Sequence, residues 1–311
     1  GQGGSSGVSY KIWQSLPDMF FEIAKQGGDD PFLWAKQDGR YQSLSWRETA
    51  QQVCNMAKGL AELGVVAGDR IVIVAENRPE WAIADLAIMA LGAISVPAYT
   101  TNTVRDHRHI LSDCSAKGTI VSTRALAARL LPAAAEVAAN SFIISMEETE
   151  VGAFDIALYD WAAVADMGAA SEHDLRPVLD AQGRTDVACL IYTSGTGGNP
   201  KGVMLSHAAI MMNCMGACEL LRQLGLGEEV FLSFLPLSHA YEHSAGFYFP
   251  ISIKAQIYYA ESIETLSANL TEVRPTIMVS VPRLYEVMHR RITLGLKRQS
   301  AVKQHLFARA V

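Results

Sequence analysis

No apolar run in this 311-residue chain reaches the ~18 residues needed to cross a bilayer. The longest candidate, 81–96, is broken by Asp85. A basic excess is also lacking: 26 Lys and Arg stand against 32 Asp and Glu, a net charge of −6. That excludes the broadly basic surface on which general nucleic-acid binding depends. Cysteine is sparse, with five residues and no CxxC pair, so neither a zinc ribbon nor a disulfide framework is indicated. The pattern fits a reducing, cytoplasmic compartment. Cys214 and Cys218, four apart, share one helix face as small core residues. The opening GQGGSSG lacks the basic and apolar regions of a signal peptide. Residues 1–9 therefore read as a flexible leader outside the fold.

What the chain does have is alternation. Ser45 and Glu48 have capping-box spacing before a helix carrying Val53, Met56, Leu60 and Leu63 on one face, with Gly64 as its stop. Strand-like runs at 70–74, 93–99, 119–122, 142–146, 187–192, 230–234, 255–259 and 276–281 are separated by helical stretches at 79–91, 107–114, 208–224 and 263–273. Short continuous apolar strands between helices predict α/β architecture, with mostly parallel sheet flanked by helices. Two sheet-centred lobes are expected, 10–182 and 183–311, the second incomplete.

The most informative segment is LIYTSGTGGNPKG at 190–202. A buried strand runs into Thr193, Ser194, Gly195, Thr196, Gly197 and Gly198, and Lys201 follows. Glycines remove Cβ obstruction so that backbone N–H groups can converge on a phosphate. The hydroxyls add neutral donors, and Lys201 supplies a mobile positive charge for the β- and γ-phosphates. Two other phosphate loops are excluded. Lys201 stands between Pro200 and Gly202, which breaks GxxxxGK[ST], and Pro200 occupies the third glycine position of GxGxxG.

This string resembles the signature loop of the adenylate-forming superfamily, whose form is roughly YTSGTTGxPKG. The match runs over eleven consecutive residues and departs once, with Gly197 in place of the second threonine. FLSFLPLSHAYEHSAG at 231–246 is similar to a second family motif, in which His239 takes the position beside the activated carboxylate. VPRLYE at 281–286 and GAISVPAY at 92–99 resemble the long-chain fatty acyl branch. The resemblance implies the N-terminal part of an AMP-forming acyl-CoA synthetase, truncated before the C-terminal lid. It implies His239 and Lys201 as catalytic residues and 193–198 with Lys201 on the ATP or AMP phosphates. His239 and Glu242 would lie near the acyl group. The implied ligands are ATP, a fatty acid, coenzyme A and Mg²⁺, the metal at Thr193 or Thr196.

Other readings share the chain. His239 to His243 matches HxxEH, a zinc-peptidase pattern with Glu242 as general base, but Pro236 and Gly246 disfavour the long helix it needs. No zinc site is expected. The 107–109 triplet HRH reads as a solvated helix face. The stretch 283–311 carries seven Lys or Arg against Glu286 alone, and its apolar positions suit an amphipathic helix. That allows peripheral contact at the inner face of a membrane, or an interaction module. No YGxTE segment occurs, so a non-catalytic nucleotide- or acyl-binding scaffold is the alternative to an enzyme, and the isolated chain is expected to be inactive.

Overall fold

The structure is a computed structural model that describes residues 10–194 and 197–282, together with 286, 289–290, 293–294, 301 and 305. After α1 (Leu16–Gly27), a hairpin of β1 (Pro31–Gln37) and β2 (Arg40–Ser45) leads into α2 (Trp46–Glu62). The predicted capping box is formed there. Ser45 Oγ accepts from Glu48 N, and a Glu48 carboxylate oxygen accepts from Ser45 N at 3.1 Å. Strict alternation follows through β3 (Arg70–Val74), α3 (Pro79–Ala90), β4 (Ile94–Ala98), α4 (Val104–Asp113), β5 (Gly118–Val121), α5 (Arg124–Glu136) and β6 (Phe142–Ser145). Then come β7 (Ala157–Asp160), α6 (Trp161–Ala169) and α7 (Arg176–Asp180). The remainder holds β8 (Val187–Thr193), β9 (Lys201–Ser206), α8 (His207–Arg222), β10 (Val230–Ser233) and α9 (Ala240–His243). A π-helical turn (Ser244–Tyr248), α10 (Phe249–Ser252), β11 (Gln256–Tyr259) and α11 (Leu266–Val273) complete it.

Seven strands form the larger sheet in the order β7-β6-β5-β3-β4-β8-β9, all parallel except the β8–β9 edge hairpin. The smaller sheet has the order β10-β11-β1-β2, again parallel but for the β1–β2 edge hairpin. Each sheet draws strands from both sides of 182/183, so chain order and sheet membership do not coincide.

α3 joins the two layers. Every residue from Trp81 through Ala90 is buried, because the helix packs on β3 and β4 of one sheet and on β1 of the other. Protein surrounds it, so its apolar residues form no one-sided stripe. Fully burying each large apolar side chain contributes about 1.5–3 kcal/mol. α4 and α5 cover the opposite face of the larger sheet, in a separate apolar cluster containing Ile110, Leu111, Leu126 and Leu130.

One expected strand is corrected. The run 276–281 contributes an isolated bridge, Phe231 to Ile277, among the described residues. Thr276 N and Ile277 N both donate to Val230 O, at 2.8 and 3.1 Å, and Thr276 Oγ1 accepts from Val230 N. Two successive amides directed at one carbonyl do not propagate a ladder. Most of the basic stretch 283–311 lies outside the described residues.

Candidate active site

α3 and α4 leave their strands toward opposite faces of the larger sheet. Strand order reverses between β5 and β3, which is the topological switch point, and ligands of open α/β sheets bind outside the carboxyl ends of the strands beside it, here those of β3 and β4. A cleft of about 410 Å³ lies there. Its walls come from Ala75, Glu76 and Asn77 after β3, Tyr99 and Thr100 after β4, Phe234, Pro236 and Ser238 after β10, and 260–264 after β11. Both sheets thus deliver strand ends to one opening. A larger cavity of about 530 Å³, lined by Cys54, Lys58, His173 and Arg176 among others, lies against α1, α2 and α7 instead.

The glycine loop leaves the carboxyl end of β8, which runs parallel to β4, so it emerges at the same sheet edge as the cleft. Thr193 pairs with Lys201 to close the hairpin beneath it. Gly197 and Gly198 have φ of 85° and 112°, and an added Cβ at either would meet nothing within 4 Å. Their backbone is open to a ligand in a conformation that disfavours any side chain. The departure at Gly197 suits that positive φ. Thr193, Ser194 and Lys201 are exposed, whereas Gly195 and Thr196 lie outside the described residues.

His239 caps the N-terminus of α9, with Nδ1 accepting from Tyr241 N at 3.2 Å, and its side chain is exposed directly after the cleft-lining Ser238. Among the described residues no hydrogen bond joins it to the glycine loop. Glu242 turns inward, away from His239. One of its carboxylate oxygens accepts from Ser233 Oγ at 2.9 Å, and the other has no partner among the described residues. Gly246 permits this, because a Cβ there would collide with the Glu242 carboxyl. Burial pushes the Glu242 carboxyl up to about 8 against the lowering effect of the Ser233 bond.

That shift predicts a pH dependence. A folded pKa above the ordinary 4.5 means that the folded state holds the proton more tightly. Stability therefore falls as pH rises from about 4.5 toward about 8. Glu242→Gln has no such proton to lose. It should match the wild type near pH 4.5 and exceed it by on the order of 4 kcal/mol at pH 8, in denaturant melts. Parallel stability curves over that range would show Glu242 ionised in the fold.

His243 does not face His239. Its Nε2 lies 2.8 Å from Asp85 Oδ2, and Tyr248 and Ser95 hydroxyls donate to the same buried carboxylate. The HxxEH histidines are thus committed to different partners, and no group of three or more His, Cys, Asp or Glu among the described residues is arranged to hold a metal. The 107–109 triplet also differs from expectation. His107 is buried and its pKa is pushed down to about 4 by burial, while His109 packs on Tyr192 rather than facing water.

The main contributor missed in the sequence is Asn77. Its Nδ2 donates to Leu235 O at 2.6 Å and to Ser233 Oγ at 3.2 Å, and its Oδ1 accepts from Leu237 N at 3.0 Å. This one amide fixes the segment leading to His239 onto the end of β3. Its partners lie 156 to 160 residues away, and only the strand–helix junction before Pro79 hinted at its place.

The fold and the cleft define an α/β class with a glycine hairpin at the carboxyl edge of the larger sheet, beside the cleft. Residues 20–310 match the family described as AMP-binding enzyme, and the chain belongs to that family. It is 32% identical over 294 residues to the long-chain-fatty-acid–CoA ligase FadD15 of Mycobacterium tuberculosis, covering 93% of this chain and 47% of that protein. To the long-chain-fatty-acid–CoA ligase ACSBG2 of Gallus gallus it is 28% identical over 298 residues, covering 94% and 39%. It therefore spans about half or less of these relatives' length. The adenylation domain of a Segniliparus rugosus carboxylic acid reductase, solved with AMP and a co-purified carboxylic acid, superposes with a TM-score of 0.80 at 20% identity, covering 94% of this chain and 53% of that one. The N-terminal domain of FACL13 from M. tuberculosis gives 0.71 at 19% identity, covering 88% and 65%. These likenesses show the fold.

Proposed function

We propose that the protein activates a long-chain fatty acid with ATP and passes the acyl group to coenzyme A. The observation that carries this reading is the glycine hairpin opening at the edge where the β3–β4 cleft lies, in a chain of the AMP-binding family. The acid class follows the names of the relatives at 28–32% identity. A carboxylate oxygen attacks the α-phosphorus of ATP and pyrophosphate leaves. The coenzyme A sulfur then attacks the acyl carbon of the adenylate, and AMP leaves with the electron pair of the broken C–O bond.

The first step gathers negative charge, and preorganised donors are the main help available. Residues 193–198 would cradle the phosphates with backbone N–H groups, and Lys201 would neutralise their charge. His239 would stand beside the acyl carboxylate, at the mouth lined by Ser238. Mg²⁺ would be carried chiefly by the nucleotide's own phosphates, with Thr193 or Thr196 as an added oxygen, while Glu76, Glu261 and Glu264 line the neighbouring cleft without forming a metal-holding group among the described residues. No helix among the described residues is long and apolar enough to cross a membrane. A cytoplasmic place with peripheral membrane contact would suit such a substrate.

The test is ATP–pyrophosphate exchange by the full-length protein with palmitate, octanoate and acetate in parallel, followed by thioester formation on adding coenzyme A. Exchange with palmitate well above acetate is expected, and loss of exchange in Lys201→Ala. Nucleotide binding without exchange for any acid would favour a scaffold.

A further inference from the structure

We propose that His109 is a positioning residue for the phosphate-facing loop, acting through the carbonyl of Pro200. The proposal rests on the adenylation reading of that loop. His109 lies on α4, and its Nε2 is 2.7 Å from Pro200 O. A carbonyl only accepts, so Nε2 carries the proton and donates it. The imidazole meets the Tyr192 ring edge to face, with centroids 6.1 Å apart and planes at 88°. Tyr192 OH in turn donates to Asp113 Oδ2 at 2.6 Å. Asp113 is four residues beyond His109, so both anchors occupy the same face of α4.

These contacts pin both ends of one loop. Tyr192 is the residue before Thr193, on the strand that enters the loop, and Pro200 is the last residue before β9. Close packing of Tyr192 on Gly202, where a Cβ would lie 3.1 Å from the phenol ring, locks the two arms together across the ladder. The peptide that follows Pro200 is planar and trans, so its carbonyl and the Lys201 N–H point in opposite directions. Aiming that carbonyl at α4 turns the Lys201 N–H away from α4. It also fixes the backbone from which the Lys201 side chain starts. Proline contributes no N–H of its own, so the Pro200 carbonyl is the hydrogen-bonding handle of that residue. A cation that must meet developing charge at one place gains from such a tether, because catalytic help depends on preorganisation more than on the presence of charge.

Two substitutions separate the hydrogen bond from the packing. His109→Phe keeps a ring on Tyr192 and removes the donor. His109→Gln keeps an amide N–H near the Nε2 position and removes the ring. In palmitate-dependent pyrophosphate exchange by the full-length protein, His109→Phe should lower kcat/KM for ATP about 5–10-fold, the kinetic equivalent of one modest hydrogen bond. KM for palmitate and the thermal midpoint should stay near wild type. His109→Gln should retain most of the ATP dependence. Normal ATP kinetics in His109→Phe, or a loss in His109→Gln larger than in His109→Phe, would overturn the tether and leave His109 as packing. So would a fall in ATP and palmitate efficiency together that tracks lost stability. Gly198→Val is run beside them. If it impairs ATP use and His109→Phe does not, the tether fails while the loop reading stands. If neither changes ATP use, the loop reading fails, and the tether with it.

Discussion

Asp85→Ala is expected to destabilise the fold by about 3–5 kcal/mol, the cost of removing one partner from a buried ion pair. Asp85 sits in the middle of the all-buried α3 with no exposure of its own. Its carboxylate is compensated by three donors: Ser95 Oγ at 2.5 Å, His243 Nε2 at 2.8 Å and Tyr248 OH at 2.5 Å. Alanine would leave two hydroxyls and an imidazole without that partner in an interior that cannot supply water. The pH dependence identifies the pair. Burial alone would lower the His243 pKa, but the adjacent Asp85 carboxylate outweighs it and holds the value up at about 10. A raised folded pKa contributes stability that is complete below the ordinary 6.5 and fades as pH rises through about 10. The gap between wild type and Asp85→Ala in denaturant melts should therefore be widest near pH 6 and shrink toward pH 10. A constant gap would mean that His243 is neutral in the fold, and a loss below 1 kcal/mol would mean that the carboxylate is not compensating it.

The network bears on function because His243 directly precedes, and Tyr248 ends, the π-helical turn that follows α9. Holding both on α3 fixes the segment that begins with His239. With Asn77 gripping 233–237 from the end of β3, the larger sheet and the helix on its face set the position of a loop that belongs, by sequence, to the smaller sheet.

These same contacts mark where the sequence ceased to be legible. In the sequence Asp85 was no more than the charge interrupting an apolar run. Its partners His243 and Tyr248 are 158 and 163 residues distant, and no local pattern can announce a pairing that topology creates. The elements with local causes could be read: the Ser45–Glu48 capping box, Pro79 opening α3, and the β-branched run 70–74. The β1–β2 hairpin had a local cause too, in Asp38-Gly39, whose φ values of 50° and 78° suit a two-residue primed turn. Attention to that dipeptide would have found it. β9 offered no such mark. It is an edge strand exposed from Lys201 to Met204, so burial never wrote an alternation into it. The glycine loop was legible for the opposite reason. Its requirement falls on backbone conformation, and positive φ at consecutive positions appears directly as glycine.

Gly198→Val is expected to lower kcat/KM for ATP in fatty-acid-dependent pyrophosphate exchange by about 10²–10³-fold, comparable to losing one strong electrostatic donor. The fold should be almost unaffected. At φ 112° the residue occupies backbone space that a β-branched side chain scarcely enters. Nothing in the protein lies within 4 Å of the added Cβ, so no core is displaced. The strain, of order 1–3 kcal/mol, can relax by re-threading an exposed loop. Re-threading turns the N–H groups of 197–199 away from any common point, and that convergence is what a phosphate needs. The thermal midpoint should thus move little while ATP use collapses, and Gly198→Ala should fall between the two because alanine strains the backbone without branching at Cβ. Lys201 remains on β9 in every variant, so what is lost is the backbone cradle and not the cation. Unchanged ATP dependence in Gly198→Val would take the glycine hairpin out of the nucleotide site. A parallel loss of stability and activity would instead assign Gly198 to the architecture of the β8–β9 edge.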